Sequence, residues 1–211
     1  AQEPIVRPSL FKNRGILGAN VVALFVGITM FMVFQTLPFF LMTPTFAGGL
    51  FGLEDTLEVG IYMLPNAIAT LIFSGIGGMQ ARRTGAFKVL ITGMAILSAG
   101  FVSLLVFHST FLELALSQAI LGAGIALCMN TLFRIIGGSI GPVLATAILA
   151  TNTIAFGSMV LYTEEGYVQA WGVGLAFALI GLAASIFLRP REVCSVDDLF
   201  SADQDADGTK L

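Results

Sequence analysis

The residues able to do covalent chemistry in this chain are few. Gly137-Gly138-Ser139-Ile140-Gly141 carries the spacing G-x-S-x-G, that of a tight turn exposing a nucleophilic serine. Such a serine needs a general base within about 3 Å, and His108 is the single histidine available. Ser139 and His108 belong to different apolar segments and to opposite ends of them. At about 1.5 Å of rise per helical residue they stand on the order of 20 Å or more apart. That separation weighs against an intramembrane serine hydrolase, which stays as an alternative. The glycines read better as close helix packing, because Gly137-x-x-x-Gly141 lets two backbones approach. His108 reads as an interfacial residue, with pH sensing as its functional alternative.

Non-covalent chemistry has more candidates. The stretch Gly77-Gly78-Met79-Gln80-Ala81-Arg82-Arg83-Thr84-Gly85-Ala86-Phe87-Lys88 gathers three cations between two apolar runs. Gly78 is expected to end the preceding helix and Gly85 to allow a turn with positive φ. The cations can bond exposed carbonyls or a carboxylate of a neighbouring bundle, or can serve only to hold the loop on one side of a membrane. Within the apolar runs lie Asn20, Thr29, Gln35, Thr36, Asn66, Gln118 and Asn152. Polar groups in hydrocarbon are costly, so they face a bundle interior or a wet cavity. Asn20 and Gln35 are about 60° apart around a helix at about 100° per residue, so one face presents both. For Asn66 and Asn152 hydrogen bonding between helices is at least an equal reading. No Asp or Glu lies mid-span, so a proton pathway needing a titratable group at that depth finds none in this chain.

The elements that must position these residues follow from composition. Of 211 residues, 56% are hydrophobic and 11% charged, against roughly 25% charged in soluble domains. Such a surface cannot be wetted, which excludes an ordinary soluble enzyme and a disordered chain. Ten Lys+Arg against thirteen Asp+Glu, with no basic stripe, exclude a nucleic-acid partner. Cys128 and Cys194 make no disulfide framework, and no metal-ligating cluster is present. The polar, basic start shows no signal-peptide pattern, and the chain reads as beginning inside something longer.

Crossing a bilayer core takes about 20 helical residues. Six segments reach that length: 16–40, 59–78, 89–107, about 112–130, about 136–160 and 168–188. Arg7, Lys12 and Arg14 precede the first, Arg82, Arg83 and Lys88 follow the second, Arg134 follows the fourth, and Arg189, Arg191 and Lys210 follow the sixth. Six crossings put every cation on one side, with Glu54, Asp55, Glu58, Glu113, Glu164 and Glu165 opposite. The positive-inside rule then places both termini in the cytoplasm of a multi-pass cell-membrane protein. The expected organisation is a cytoplasmic linker over 1–14, a six-helix bundle over 15–188 and a disordered acidic tail over 189–211. The turn between the fourth and fifth helices, around Met129–Ile135, is expected to be very tight.

The spacing Gly78-x-x-x-Arg82-Arg83-x-Gly85-x-x-Lys88 resembles the loop motif of the major facilitator superfamily between the second and third helices of each half, with Arg82 at the usual Asp position. Glu3-Pro4 with Ser9-Leu10-Phe11-Lys12-Asn13-Arg14, Gly18-Ala19-Asn20, Met30 through Pro38, Gly122-Ala123-Gly124-Ile125, Met129 through Arg134 and Gly137 through Gly141 resemble the C-terminal half of fourteen-helix drug/proton antiporters of the EmrB/QacA type. The resemblance covers residues 3–188. It implies an all-α membrane protein, a six-transmembrane-helix bundle that is half of a major-facilitator fold with a 3+3 inverted repeat. It implies proton-coupled efflux of apolar or amphipathic compounds by alternating access, without covalent catalysis or cofactor. The partners implied are the lipid bilayer, a small-molecule solute, protons and an N-terminal transporter half. Gly78, Arg82, Arg83, Gly85 and Lys88 become a gating loop. Asn20, Gln35 and Gln118 become substrate-cavity residues, since the first and fourth helices of each half line the cavity. Asn130, Arg134, Gly137, Gly138 and Gly141 become a cytoplasmic hinge. A major-facilitator importer of another solute and a non-transporting truncated remnant are the alternatives. Relatives continue the fourth helix further, which implies roughly two dozen residues missing where Cys128 abuts Met129.

Overall fold

The structure, a computed structural model, describes residues 14–47, 49–128, 131–156 and 159–187. Six α-helices carry it: α1 (Arg14–Met42), α2 (Thr56–Thr84), α3 (Ala86–Val106), α4 (Phe111–Leu127), α5 (Thr131–Thr151) and α6 (Glu164–Phe187). Among the described residues, five of them are long and apolar enough to cross a membrane. The fourth of the six expected segments is present but shorter than expected: the 17 residues of α4 rise about 26 Å, at the lower limit of about 17–25 residues for a crossing helix.

Local chemistry sets the ends of the helices. Asp55 caps α2, its side chain accepting from the Leu57 N–H at 3.0 Å. Thr110 and Glu113 form a reciprocal capping box on α4, the carboxylate accepting from the Ser109 and Thr110 N–H groups. Between α2 and α3 only Gly85 leaves the helical state, at φ 88°. The positive φ expected there is present. The expectation that Gly78 ends the second helix is corrected: α2 continues to Thr84, since nothing in Met79–Thr84 breaks a helix and Arg82 and Arg83 suit its C-terminal dipole.

The fifth segment is also corrected. Instead of running to about 160, α5 stops at Thr151, and Thr153–Phe156 pairs antiparallel with Met159–Tyr162, Thr153 opposite Tyr162. The two strands are rich in β-branched and aromatic residues, and Gly157-Ser158 between them in the sequence is a hairpin-type dipeptide.

Packing divides the helices into two sets joined through α3 and α6. α1 packs on α5 and α6, α4 packs on α2 and α3, and α3 packs on α6. The seams are built on glycine. A Cβ at Gly137 would overlap the Leu24 carbonyl oxygen and one at Gly141 the Ile28 carbonyl oxygen, so α5 lies directly on the α1 backbone. Likewise a Cβ at Gly122 would strike the Asn66 carbonyl oxygen, and one at Gly124 would lie 2.6 Å from the Leu97 amide nitrogen. Between apolar helices in lipid, this close approach is the main source of association.

All described cations lie toward one end of the bundle, called here the basic end, and Glu54, Asp55, Glu58, Glu113, Glu164 and Glu165 toward the other, the acidic end. At the basic end α4 and α5 stop early. Gly93 of α3 lies against Cys128, yet α3 starts seven residues earlier, about 10 Å nearer the basic end. Gly27 of α1 lies against Arg134, yet α1 starts 13 residues earlier, about 20 Å nearer that end.

Candidate functional site

Where α4 stops, the longer helices enclose a cleft of about 410 Å³. Ala19 of α1, Ser74, Gly78 and Ala81 of α2 and Phe87 of α3 form its walls, and Ala126 and Leu127 its floor. The lining is small and apolar, and a Cβ at Gly78 would meet nothing within 4 Å. Of the residues expected to form a gating loop, Gly78 alone lines this cleft. Arg82, Arg83 and Lys88 flank it and are exposed. None of the three takes part in an ion pair among the described residues. Gly85 closes the last turn of α2, its N–H donating to the Ala81 carbonyl at 3.0 Å. Lys88 occupies the first turn of α3, where the helix dipole opposes a cation, so local helix energetics do not explain its place.

The three residues expected to line a substrate cavity are not gathered at one place. Asn20 and Gln35 are half-buried on α1, and neither side chain makes a hydrogen bond among the described residues. Gln118 is buried on α4 and meets α2 instead: the Asn66 amide donates to its side-chain oxygen at 3.1 Å and to its backbone carbonyl at 3.2 Å. Its own Nε2 has no partner. Thr70 donates to the Gly122 carbonyl one turn further along the same seam. Asn66 thus serves the interhelical hydrogen bonding that its position allowed. So does Asn152, whose amide donates to Gln169 Oε1 on α6 at 2.9 Å.

Of the expected hinge residues, Asn130 lies outside the described residues, with Met129 and the tail from 188 onward. Arg134 is half-buried near the start of α5. Gly137 and Gly141 make the α1 seam, and a Cβ at Gly138 would lie 2.7 Å from the Phe31 ring. Ser139 is exposed, and its hydroxyl donates to the Ile135 carbonyl at 3.5 Å. His108 pairs elsewhere, so the serine and the imidazole are not brought together.

The acidic end holds a cluster that the sequence reading did not assemble. Phe40 of α1 has its ring 5.0 Å from Trp171, 5.4 Å from Tyr167 and 6.0 Å from His108, all edge-on. Trp171 donates from Nε1 to Thr36 Oγ1 at 3.0 Å, and the Tyr167 and Thr43 hydroxyls are 3.0 Å apart. The indole handle therefore reaches α1 and the phenol handle the residue just after it. His108 Nε2 is 3.3 Å from Glu164 Oε1. No local pattern announces these pairs, because the partners are 56 to 135 residues apart in the chain. The one available signal is that Tyr167 and Trp171 are four apart and share a helix face.

No protein-family model matches the chain. The chain is similar to the multidrug transporter protein MdtP of Bacillus subtilis (strain 168), with 34% identity over 134 residues. That alignment takes in 63% of this chain and 24% of the relative, so the chain spans about a quarter of the length of the curated relative it matches.

Proposed function

We propose that the chain is the six-helix C-terminal half of a major-facilitator drug exporter, of the EmrB/QacA type, embedded in the cell membrane with both termini in the cytoplasm. It works by alternating access, exporting apolar or amphipathic compounds against protons. The similarity to a multidrug transporter, on a bundle with five membrane-length helices, carries this reading. Two further observations support it. Exchanging α1 with α4, α2 with α5 and α3 with α6 maps the main packing partners onto themselves, as a 3+3 repeat requires. The basic end gathers the described cations without an acid among them, as a cytoplasmic face does.

In this account the exposed Arg82, Arg83 and Lys88 reach carboxylates of the other half when the inner side closes, and the Gly137–Gly141 seam rocks α5 on α1. Asn20 and Gln35, half-buried on α1, contribute polar contacts to solute from one wall, while Gln118 is held in the α2–α4 seam by Asn66. The chemistry is binding and reorientation, with no covalent step. Proton coupling draws its mid-membrane group from the other half.

The test is transport in proteoliposomes carrying an imposed pH gradient, with a fluorescent lipophilic compound as cargo. The chain alone is expected to give no gradient-driven flux. The chain co-assembled with a six-helix N-terminal half is expected to give it, and Arg83→Ala is expected to slow it. Gradient-driven flux by the chain alone contradicts the half-transporter reading. Unchanged flux in Arg83→Ala removes the gating role from that arginine. A second reading, a remnant that does not transport, is favoured by the early stop of α4 and α5. An absence of flux in the assembled pair, with folding intact, selects it.

A further inference from the structure

We propose that His108 and Glu164 form a proton-operated latch at the acidic end of the bundle, tying the α3–α4 connection to α6. The ring of His108 is wedged against Phe40 of α1 and Trp171 of α6, its centroid 6.0 and 5.7 Å from theirs, and the side chain is 13% exposed. A carboxylate only accepts, so the 3.3 Å contact with Glu164 requires the proton on Nε2. Nδ1 is then a bare lone pair, and it is buried without a partner. That arrangement satisfies a neutral imidazole at small cost.

It does not satisfy an imidazolium. Protonation puts a second N–H on Nδ1, which is buried on a ring packed against Phe40 and Trp171 and has no hydrogen-bond partner among the described residues. That N–H is a buried donor left unsatisfied, a cost set against the charge-assisted contact that Nε2–H gains with Glu164. The groups at this end of the bundle point to where the ring goes. From α6 come Glu164, Glu165 and Tyr167, from α4 Glu113, from the second strand Tyr162, and from α2 and the residues before it Glu54, Asp55, Glu58 and Tyr62. From α1 comes Phe40 but no charge. Glu113 is engaged by the Ser109 and Thr110 N–H groups. Glu54, Asp55, Glu58 and Glu165 are exposed. Six carboxylates and no described Lys or Arg at this end leave acceptors on the rim, and none bonded to Nδ1. In the proposed latch the protonated ring turns Nδ1 out from Trp171 and Phe40 to the rim, where Glu164, 39% exposed, keeps the charged contact with Nε2, and water replaces the ring beside the indole.

The latch is a proton site on the acidic side, additional to the group that the other half supplies. Its consequence for transport rests on the proton-coupled reading, but its test does not, because the test reads the chain itself. Trp171 is the only tryptophan and His108 the only histidine, so both report without interference. The chain in lipid nanodiscs is taken from about pH 8 to pH 5, the interval in which imidazoles change charge. Trp171 emission is expected to shift to the red and acrylamide quenching to rise as the pH falls. His108→Phe fills the pocket with a ring that cannot titrate, and the pH dependence is expected to vanish. Isotope-labelled histidine gives a second readout that needs no variant: both the Nδ1 and Nε2 signals are expected to move together with the emission change. Emission independent of pH overturns the latch, as does a red shift retained in His108→Phe, or an imidazole that titrates while Trp171 stays unmoved. Failure here leaves the transporter reading intact, and gradient-driven flux can be absent with the latch working.

Discussion

The Asn66–Gln118 pair shows what a polar side chain does when its helix is surrounded by hydrocarbon. Asn66 is 4% exposed and Gln118 1%, so water cannot serve them, and they bond each other across the α2–α4 seam. Interhelical hydrogen bonds of this kind contribute about 0.6 kcal/mol on average and under about 2 kcal/mol at most. Asn66→Leu should therefore lower stability by about 1 kcal/mol in a reversible unfolding titration in mixed micelles. Gln118→Leu in that background should add little, because the coupling is already lost. Additive losses would mean that the two amides are not coupled. Asn66 and Gln118 were both visible in the sequence as expensive residues at membrane depth. Their pairing was not, since a hydrogen bond over 52 positions is decided by which helices become neighbours.

At the scale of the element, glycine has two opposite uses in this bundle. Gly137 and Gly141 let α5 touch the α1 backbone, whereas Gly78 sits in a helix with open space beside it. Gly141→Ala drives a methyl group into the Ile28 carbonyl and should cost about 1–3 kcal/mol, the range for overpacking. Gly78→Ala meets nothing and should stabilise α2 by about 1 kcal/mol through helix propensity alone. Equal effects of the two substitutions on thermal unfolding would contradict the seam. The helices themselves were largely legible, because a charge-free run of 20 residues has few alternatives. Their ends were less so. Hydrophobicity does not register that Thr153–Phe156 and Met159–Tyr162 form an extended pair, nor that α2 persists through charged residues to Thr84. The cost of cutting α4 short appears only in three dimensions, as a cleft walled by helices that outrun it.

The whole molecule is organised by charge. The described cations and the described carboxylates occupy opposite ends, and the candidate residues divide accordingly: a basic loop and glycine seam at one end, an imidazole among aromatic rings at the other. The loop was legible because its spacing lies within a dozen residues; the aromatic cluster was not, because α1, α6 and the α3–α4 connection meet only on folding. An even number of crossings is the premise that makes the basic end cytoplasmic and the chain a transporter half. Impermeant-thiol labelling of intact cells tests it most directly, with single cysteines introduced as Arg83→Cys, Arg134→Cys, Val160→Cys and Arg189→Cys in a Cys128→Ser, Cys194→Ser background. Position 160, in the second strand of the hairpin, is expected to be labelled from outside, and 83, 134 and 189 only after the membrane is opened. Labelling of 83 and 189 from opposite sides would contradict an even number of crossings.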